Sequence, residues 1–436
     1  MASEEQGSKH VELEGRIASR AAAFPGSASS PYVDAREELK RTCDWLVDSQ
    51  TPDGLWPQGR INLRFYSDAY AVRALLAARR IFGEARYLDA ACRWLRYVLR
   101  IQRSDGGWWV GYSKGDHDYD DPNVDQSVVY VADAGEVSMA LVNAFHVLDA
   151  EGSTRALADE VKSSLVRFRA FADHFRLDSG AMGIGYTRRD FYDPEHRDRP
   201  YMQAHYAPFA FATAVTGVNT FAGIFSVTRD PGDWKKAMQS LDWCLEHMSP
   251  GDAENRVSAS AGNDGAGWLT LHRVMDWAFS CSAAPMDRSE GADPTPEPVF
   301  RSSERQKLYA LWKYAMHLLA DAQHETGEWP CFRQQKPLAL YEGALRHRLF
   351  YLYSLTTWLR NGVVRPLEDD RLVLARDRQL WLVADPGIRL EHYGVCTPDA
   401  HVMPTGLWGM TLAELIEAGI TRPAGTRRAR GGRGST

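Results

Sequence analysis

The 436-residue chain lacks the patterns that mark several common classes of protein. No uninterrupted run of about 18 apolar residues occurs, so the sequence predicts no membrane-spanning helix. The N-terminal residues are acidic and polar, unlike a secretory signal, and we therefore expect a cytoplasmic protein. The glycine-rich loops that bind nucleotides and the Gly-x-Ser-x-Gly turn of serine hydrolases are also missing.

Cysteine and positive charge are both limited. The six cysteines include no Cys-x-x-Cys pair, which argues against a zinc cluster or a disulfide scaffold. No His, Asp and Glu spacing indicates a tight metal site, and no cofactor is expected. Five arginines lie in residues 422–436, so the rest of the chain carries a net charge of −11, against −6 for the whole. Because nucleic-acid binding needs a basic face, we expect no nucleic-acid partner.

Helical periodicity is what the sequence has in abundance. Amphipathic segments alternate with mostly apolar ones, a pattern typical of outer helices packed around buried inner helices. The predicted outer and inner helices are 34–50 with 68–81, 87–102 with 132–148, 156–175 with 205–225, 233–248 with 268–279, and 303–323 with 341–358.

The two ends of the chain have a different character from this helical body. We expect a flexible arm over residues 1–30, a helical body over 31–421 and a disordered Arg/Gly tail over 422–436. Within the body, the alternation of polar and apolar residues over Arg371–Ala384 suggests a short β-hairpin. A last helix is predicted to begin near Thr411.

A repeat in fixed register follows three of the outer helices. In each copy a glutamine is followed by a glycine four residues later and a tryptophan two residues after that; the copies are Gln50, Gly54 and Trp56, then Gln102, Gly106 and Trp108, then Gln323, Gly327 and Trp329. Degenerate copies occur at Asp178–Gly180 and Asp264–Trp268. The glycine supplies the left-handed backbone that ends a helix, and the tryptophan packs back onto a neighbour. A step of roughly 68 residues fits one helical hairpin.

The spacing predicts an all-α fold of about six helical hairpins closed into an (α/α)6 toroid. The copies resemble the QW repeat of squalene–hopene and other class II terpene cyclases, although Leu318 replaces the aromatic residue that precedes the third glutamine. They also resemble the Asp-Gly-x-Trp turns of six-hairpin glycosidases, uronyl hydrolases and polysaccharide lyases. The copies of the repeat extend over most of the chain. The resemblance they carry is specific for the architecture and not for the chemistry.

A second cyclase-like signal is the string Asp118-Tyr119-Asp120-Asp121. It matches the DxDD string of class II cyclases, in which the middle acid protonates an alkene. Here the string lies in a polar loop about a dozen residues before the predicted inner helix. We therefore interpret Asp118, Asp120 and Asp121 as a solvated acidic loop, with alkene protonation as the alternative.

The deep funnel of a toroid is lined by the starts of its inner helices, and we expect the site residues there. Asp68 and Asp133 occupy matching positions on consecutive inner helices, and Glu136 is a carboxylate in an otherwise apolar helix that needs a partner or a role. His205 and Tyr206 form a second candidate acid–base pair, as in helical-toroid lyases. The expected substrate-binding residues are Arg64, Tyr66, Trp109, Trp268, His272, Glu342 and Arg346.

These residues predict a carbohydrate-active enzyme, either a hydrolase or a lyase, that cleaves an oligosaccharide. In one version of this hypothesis the oligosaccharide contains a uronate. Carboxylates or the Tyr/His pair would supply the acid–base chemistry. A terpene cyclase-like enzyme that protonates a prenyl substrate is the first alternative. A toroid that binds a small molecule without catalysis is the second.

Overall fold

The computed structural model describes residues 2–26, 32–56, 66–108, 128–188, 202–209, 212–247, 320, 323, 325–327, 349, 351–357, 370–397 and 402–419. The helices in these ranges are α1 (Ala2–Ala22), α2 (Ala35–Ser49), α3 (Tyr66–Phe82), α4 (Ala85–Arg100), α5 (Val131–Ala150), α6 (Arg155–His174), a π-helical segment (Thr213–Thr220) continued by α7 (Phe221–Thr228), α8 (Pro231–His247), α9 (Asp370–Ala384), a second π-helical turn (Ile388–His392) and α10 (Val402–Glu417). Residues 351–357 are also helical.

The helices form an inner and an outer layer. Helices α3, α5, the first π segment with α7, and α10 pack side by side as the inner layer, while α2, α4, α6 and α8 cover them from outside. The predicted alternation of amphipathic and apolar segments is therefore confirmed in this part of the chain. None of the helices described is both long and apolar enough to cross a bilayer.

The inner layer closes on itself where the last helix meets the first. Gly406 of α10 lies so close to α3 that a Cβ atom there would come within 2.5 Å of the Ala71 nitrogen. One turn later, a Cβ on Gly409 would come within 2.8 Å of the Ala74 Cβ. Two glycines facing two alanines let these backbones approach closely, which joins helices more than 300 residues apart into a ring.

A three-stranded antiparallel sheet covers the starts of two inner helices. Its strands are β1 (Val128–Tyr130), β2 (Gly185–Arg188) and β3 (Met202–His205), in the order β1-β2-β3. Tyr130 pairs with Gly185, and Gly185 pairs with His205. The predicted helix over residues 205–225 is therefore wrong at its start, because His205 ends a strand that pairs with β2.

One further expectation is corrected. Arg371–Ala384 is not a β-hairpin but belongs to α9, since the buried residues Leu372, Ala375, Gln379 and Val383 recur at helical spacing. Within the predicted N-terminal arm, Ala2–Ala22 form the helix α1. This helix is held against α9, where the Arg20 guanidinium lies 3.3 Å from the centre of the Trp381 ring. Residues 422–436 lie outside the described residues.

The repeated glutamine joins each turn to the next outer helix. Gln50 Nε2 donates to the Gly54 oxygen of its own turn (2.9 Å) and to the Ala90 oxygen of α4 (3.0 Å). Two more glutamines make the same pair of bonds: Gln102 with Gly106 and Ser164, and Gln323 with Gly327 and Ala375. A single amide therefore satisfies carbonyl groups on two consecutive hairpins.

The tryptophans of the repeat act as clamps in the two copies described. The Trp56 indole Nε1 donates to the Leu46 oxygen at 2.7 Å, and Trp108 Nε1 donates to the Val98 oxygen at 3.0 Å. Both rings are buried. In each case the indole binds the turn to the preceding outer helix, at the carbonyl group of the residue ten positions earlier in the chain.

The glycine of each turn lies beneath the next outer helix. Gly54, Gly106, Gly180 and Gly327 have φ angles of 88–96°, a region that favours glycine. A Cβ on Gly106 would come within 2.2 Å of the Arg167 oxygen. The sequence requirement for glycine is therefore steric as well as conformational.

The turn at Gly180 also has a glutamine–arginine bond, but the two residue types have exchanged places. In the turn at Gly54 the glutamine belongs to the turn and the arginine to the following outer helix, and Arg93 Nε donates to Gln50 Oε1 at 2.9 Å. Here Arg176 occupies the glutamine position and donates to Gln239 Oε1 at 2.8 Å and to the Lys236 oxygen at 3.1 Å. We call this contact between a turn and the following outer helix a joint. The degenerate copy therefore forms the same joint with arginine and glutamine exchanged.

We predict that Gly106→Ala lowers the free energy of unfolding by about 2–4 kcal/mol, because the added methyl group meets a backbone oxygen at a positive φ. Chemical denaturation measures the change. Gly152→Ala is the matched control, since a Cβ there meets nothing within 4 Å and the effect should stay within about 0.5 kcal/mol. Equal losses in both variants would contradict this role for Gly106.

The exchanged arginine and glutamine at the Gly180 turn predict that two substitutions, each destabilising alone, compensate each other when combined. Arg176→Gln and Gln239→Arg should each lower the free energy of unfolding by about 1 kcal/mol, because each alone breaks the guanidinium–amide bond. The double variant recreates the arrangement of the other turns and should return to within about 0.5 kcal/mol of the wild type. Additive losses in the double-mutant cycle would show that the two side chains act independently.

Candidate functional site at the ring centre

The side of each inner helix that faces the ring centre follows from the contacts on its other sides. In the first π segment, Thr216 Oγ1 donates to the Val131 oxygen of α5 at 2.7 Å. Gly217 faces the outer helix α8, where a Cβ would come within 2.6 Å of Ser240 Oγ. A π-helix turns by about 80° per residue, so Asn219 points away from α8 and towards the ring centre.

The same reasoning applies to α5. Gly135 faces the π segment, because a Cβ there would come within 2.3 Å of Thr216 Oγ1. Glu136 lies one residue later, about 100° further around the helix, which turns it from the π segment towards the ring centre. Glu136 and Asn219 each keep 4% of their surface exposed.

On α3 an arginine lies away from the side that packs against α10. Ala71 and Ala74 face α10, and Arg73 lies on a different side of the helix. Arg73 keeps 7% exposure, whereas its neighbours Val72 and Ala74 keep none. Three consecutive inner helices therefore each carry one nearly buried polar side chain, a guanidinium, a carboxyl and an amide, and we infer that all three turn towards the ring centre.

Asp68 and Asp133 occupy equivalent positions in their helices but different surroundings. Each is the third residue of its inner helix, α3 and α5. Asp68 is fully buried and lies about 140° around α3 from Arg73, whereas Asp133 is only half-buried. Tyr130 is the N-cap of α5, so Asp133 is not at the capping position. Asp133 and Glu136 are three residues apart and hence neighbours on one helix surface.

Tyr206 lies at the rim of the ring rather than at its centre. Its phenol oxygen is 2.9 Å from Nε2 of His174, the last residue of the outer helix α6, and 44% of Tyr206 is exposed. The ring of Phe175 packs edge-on against Tyr186, with centroids 4.8 Å apart. Burial, followed by the nearby carboxylate of Asp105, raises the pKa of Tyr186. Of His205, the structure describes only the backbone.

Several predicted site residues lie outside the described residues. They are Arg64, Trp109, Asp118, Asp120, Asp121, Trp268, His272, Glu342 and Arg346. Tyr66 is the first residue of α3, and nothing more is described of it.

Sequence reasoning missed Arg73, Asn219 and His174. Arg73 and Asn219 carried the signal that identified Glu136, a polar side chain within an apolar inner helix. His174 carried none, because its contact with Tyr206 depends on how the sheet folds over the end of α6. Across the ranges described, no three His, Cys, Asp or Glu side chains converge as a metal-binding set.

Comparison with known proteins supports the architecture. A glycosyl hydrolase of family 88 from Bacteroides vulgatus superposes with a TM-score of 0.50 at 11% identity, over 88% of this chain and 99% of that chain. A polysaccharide lyase gives a TM-score of 0.48 at 12% identity, over 88% of this chain and 99% of its own, a likeness too weak to add to the argument. At such identities the first likeness concerns the fold alone. The chain is an α/α toroid.

Sequence comparison gives a different and much shorter likeness. Copalyl diphosphate synthase of Streptomyces anulatus is 36% identical over 67 residues, which are 15% of this chain and 12% of that protein. The match thus spans about an eighth of the curated relative. No family model matches the chain.

Proposed function

We propose that the protein is a carbohydrate-active enzyme that cleaves a uronate-containing oligosaccharide at the ring centre. The observation that carries this proposal is the polar character of that space, to which Arg73, Glu136 and Asn219 turn from three consecutive inner helices. A substrate rich in hydroxyl groups suits such a lining, because its hydroxyl groups can exchange hydrogen bonds with these polar side chains.

In the proposed reaction, Asp133 and Glu136 supply the acid–base chemistry. Carboxyl groups that protonate a leaving oxygen or activate water are the usual groups for glycoside cleavage. Asp133 is the more accessible of the two and would exchange protons with solvent, while Glu136 lies deeper. Asp68 is fully buried on a different side of α3 and would support the first turn of that helix rather than touch substrate.

Arg73 would recognise the uronate in this proposal. A guanidinium can bind a carboxylate through two parallel hydrogen bonds, and burial strengthens that interaction. Elimination is the variant of the proposal in which a base removes the proton next to this carboxylate, and hydrolysis is the variant in which water attacks the sugar. The products distinguish them, because elimination leaves an unsaturated sugar that absorbs ultraviolet light.

A terpene cyclase-like function is the second candidate. It is favoured by the 67-residue likeness to a copalyl diphosphate synthase. Incubation with a linear prenyl diphosphate, followed by mass spectrometry of extracted products, tests it directly. A cyclised product, with no cleavage of any uronate oligosaccharide, would replace the first proposal with this one.

We predict that Glu136→Gln and Asp133→Asn each lower the rate of oligosaccharide cleavage by about 10²–10⁴-fold, because each removes a proton donor or acceptor. Chromatography of the products from a panel of uronate disaccharides measures the rate. Asp68→Asn should lower the free energy of unfolding and change the rate of cleavage less than the other two substitutions do. The control is Asp89→Asn, since Asp89 is exposed on α4. Full activity in both the Glu136 and the Asp133 variants would rule out this carboxylate mechanism.

We predict that Arg73→Gln weakens binding of glucuronate by about tenfold or more, because it removes a charged hydrogen-bond donor. Binding of glucose, which lacks the carboxylate, should change little. Isothermal titration with both sugars gives the two affinities. If the variant lost affinity equally for both, Arg73 would be maintaining the shape of the site rather than reading the carboxylate.

A further inference from the structure

The amide of Asn219 is the unexplained group at the ring centre. Its Oδ1 atom is buried, and in the part of the chain that the structure describes it accepts no hydrogen bond. The side chain as a whole is 96% buried, since only 4% of it is exposed. Buried polar atoms are nearly always paired, so one without a partner requires a specific reason.

The neighbouring polar groups of the same segment are fully used by the fold. Thr216 Oγ1 donates to the Val131 oxygen at 2.7 Å, and Thr220 Oγ1 donates to the Gly135 and Val215 oxygens at 3.2 and 3.0 Å. These threonines join the π segment to α5 and stabilise its wide turn. Asn219 contributes to neither task, because it faces the opposite way from α8 and away from the α5 interface.

The π-helical backbone itself accounts for this orientation. Inserting one residue into a helical turn rotates the following side chains, and such turns are frequent at functional sites. The Phe221 amide donates to the Thr216 oxygen, five residues earlier, as a π turn requires. The extra residue keeps Thr220 on α5 and presents Asn219 to the ring centre.

Asn219 and Glu136 lie at the same depth in the ring. Gly135, the residue before Glu136, faces both Thr216 and Thr220, at 2.3 and 3.2 Å from the position of its missing Cβ. Asn219 lies between those two threonines in the chain. A ligand bound at the level of Glu136 is therefore also at the level of Asn219.

We propose that Asn219 is a substrate-binding residue that accepts a hydrogen bond from a sugar hydroxyl and so fixes the orientation of the ring beside Glu136. This inference rests on the proposed function. It explains why an amide is kept in an apolar helix at a position where no protein group in the described ranges satisfies it. The unpaired oxygen lowers stability in the free protein and is paired only when the ligand is present.

The test compares two isosteric replacements on the same segment. Asn219→Leu removes the unpaired amide, and Thr216→Val removes a hydroxyl that the fold uses. We expect Asn219→Leu to keep or raise the melting temperature of the free protein, and to weaken glucuronate binding by about 3- to 10-fold. Thr216→Val should lower the melting temperature and leave the ligand-induced shift unchanged. Thermal unfolding with and without glucuronate measures both effects.

Each possible outcome bears on the inference. If Asn219→Leu and the smaller variant Asn219→Ala both lower the melting temperature as much as Thr216→Val, the amide serves the fold and the inference is overturned. If both variants bind glucuronate as the wild type does, Asn219 does not touch the ligand, while the proposed function stands. If glucuronate and the uronate disaccharides leave the wild type unshifted and uncleaved, both the function and this role fail.

Discussion

The close approach between a glycine and the next outer helix is the constraint on which the ring depends. With φ near +90° and no side chain, this glycine lets the turn lie directly under a backbone carbonyl of the following hairpin. The glutamine or arginine beside it can then reach the same helix. Because this joint recurs at four turns in the described ranges, it fixes those turns against the helices that follow them and so helps to set the orientation of the inner helices.

The ring centre uses that fixed geometry to assemble groups from distant parts of the chain. Arg73 and Asn219 are almost 150 residues apart, yet the joints between hairpins turn both towards one space. Burying a charge or an amide in an apolar helix lowers stability unless it gains partners. The many apolar contacts and backbone hydrogen bonds of the two layers offset that cost, and in the proposed function the same polar groups then bind a ligand.

Much of the architecture could be predicted from the sequence, because the repeat encodes local physics. Gln, Gly and Trp at fixed offsets specify a helix end, a left-handed turn and a clamping indole. Each of these features is determined by residues close in the sequence. The exchanged joint at Arg176 escaped detection because its partner Gln239 lies on another helix. The sequence of Arg371–Ala384 resembles an alternating strand because its polar residues Arg376, Asp377 and Gln379 are buried in the helix, so that they interrupt the usual amphipathic pattern.

The candidate site was less predictable than the fold for a related reason. The first turns of the inner helices identified Asp133 and Asp68 by position, but position in a helix does not determine which way a side chain points. That direction depends on the local helix type, and the π-helical segment that contains Asn219 has no recognisable signature in the sequence. The contact between Tyr206 and His174 likewise depends on strand pairing.

The seam between α3 and α10 has a consequence for how the molecule is made. It pairs residues more than 300 positions apart, and contacts of such high sequence separation form slowly because a long loop must close first. Until the glycines of α10 meet the alanines of α3, the inner face is open to water and its polar groups stay hydrated. Closure of this seam converts a curved array of hairpins into a ring with a sheltered inner face.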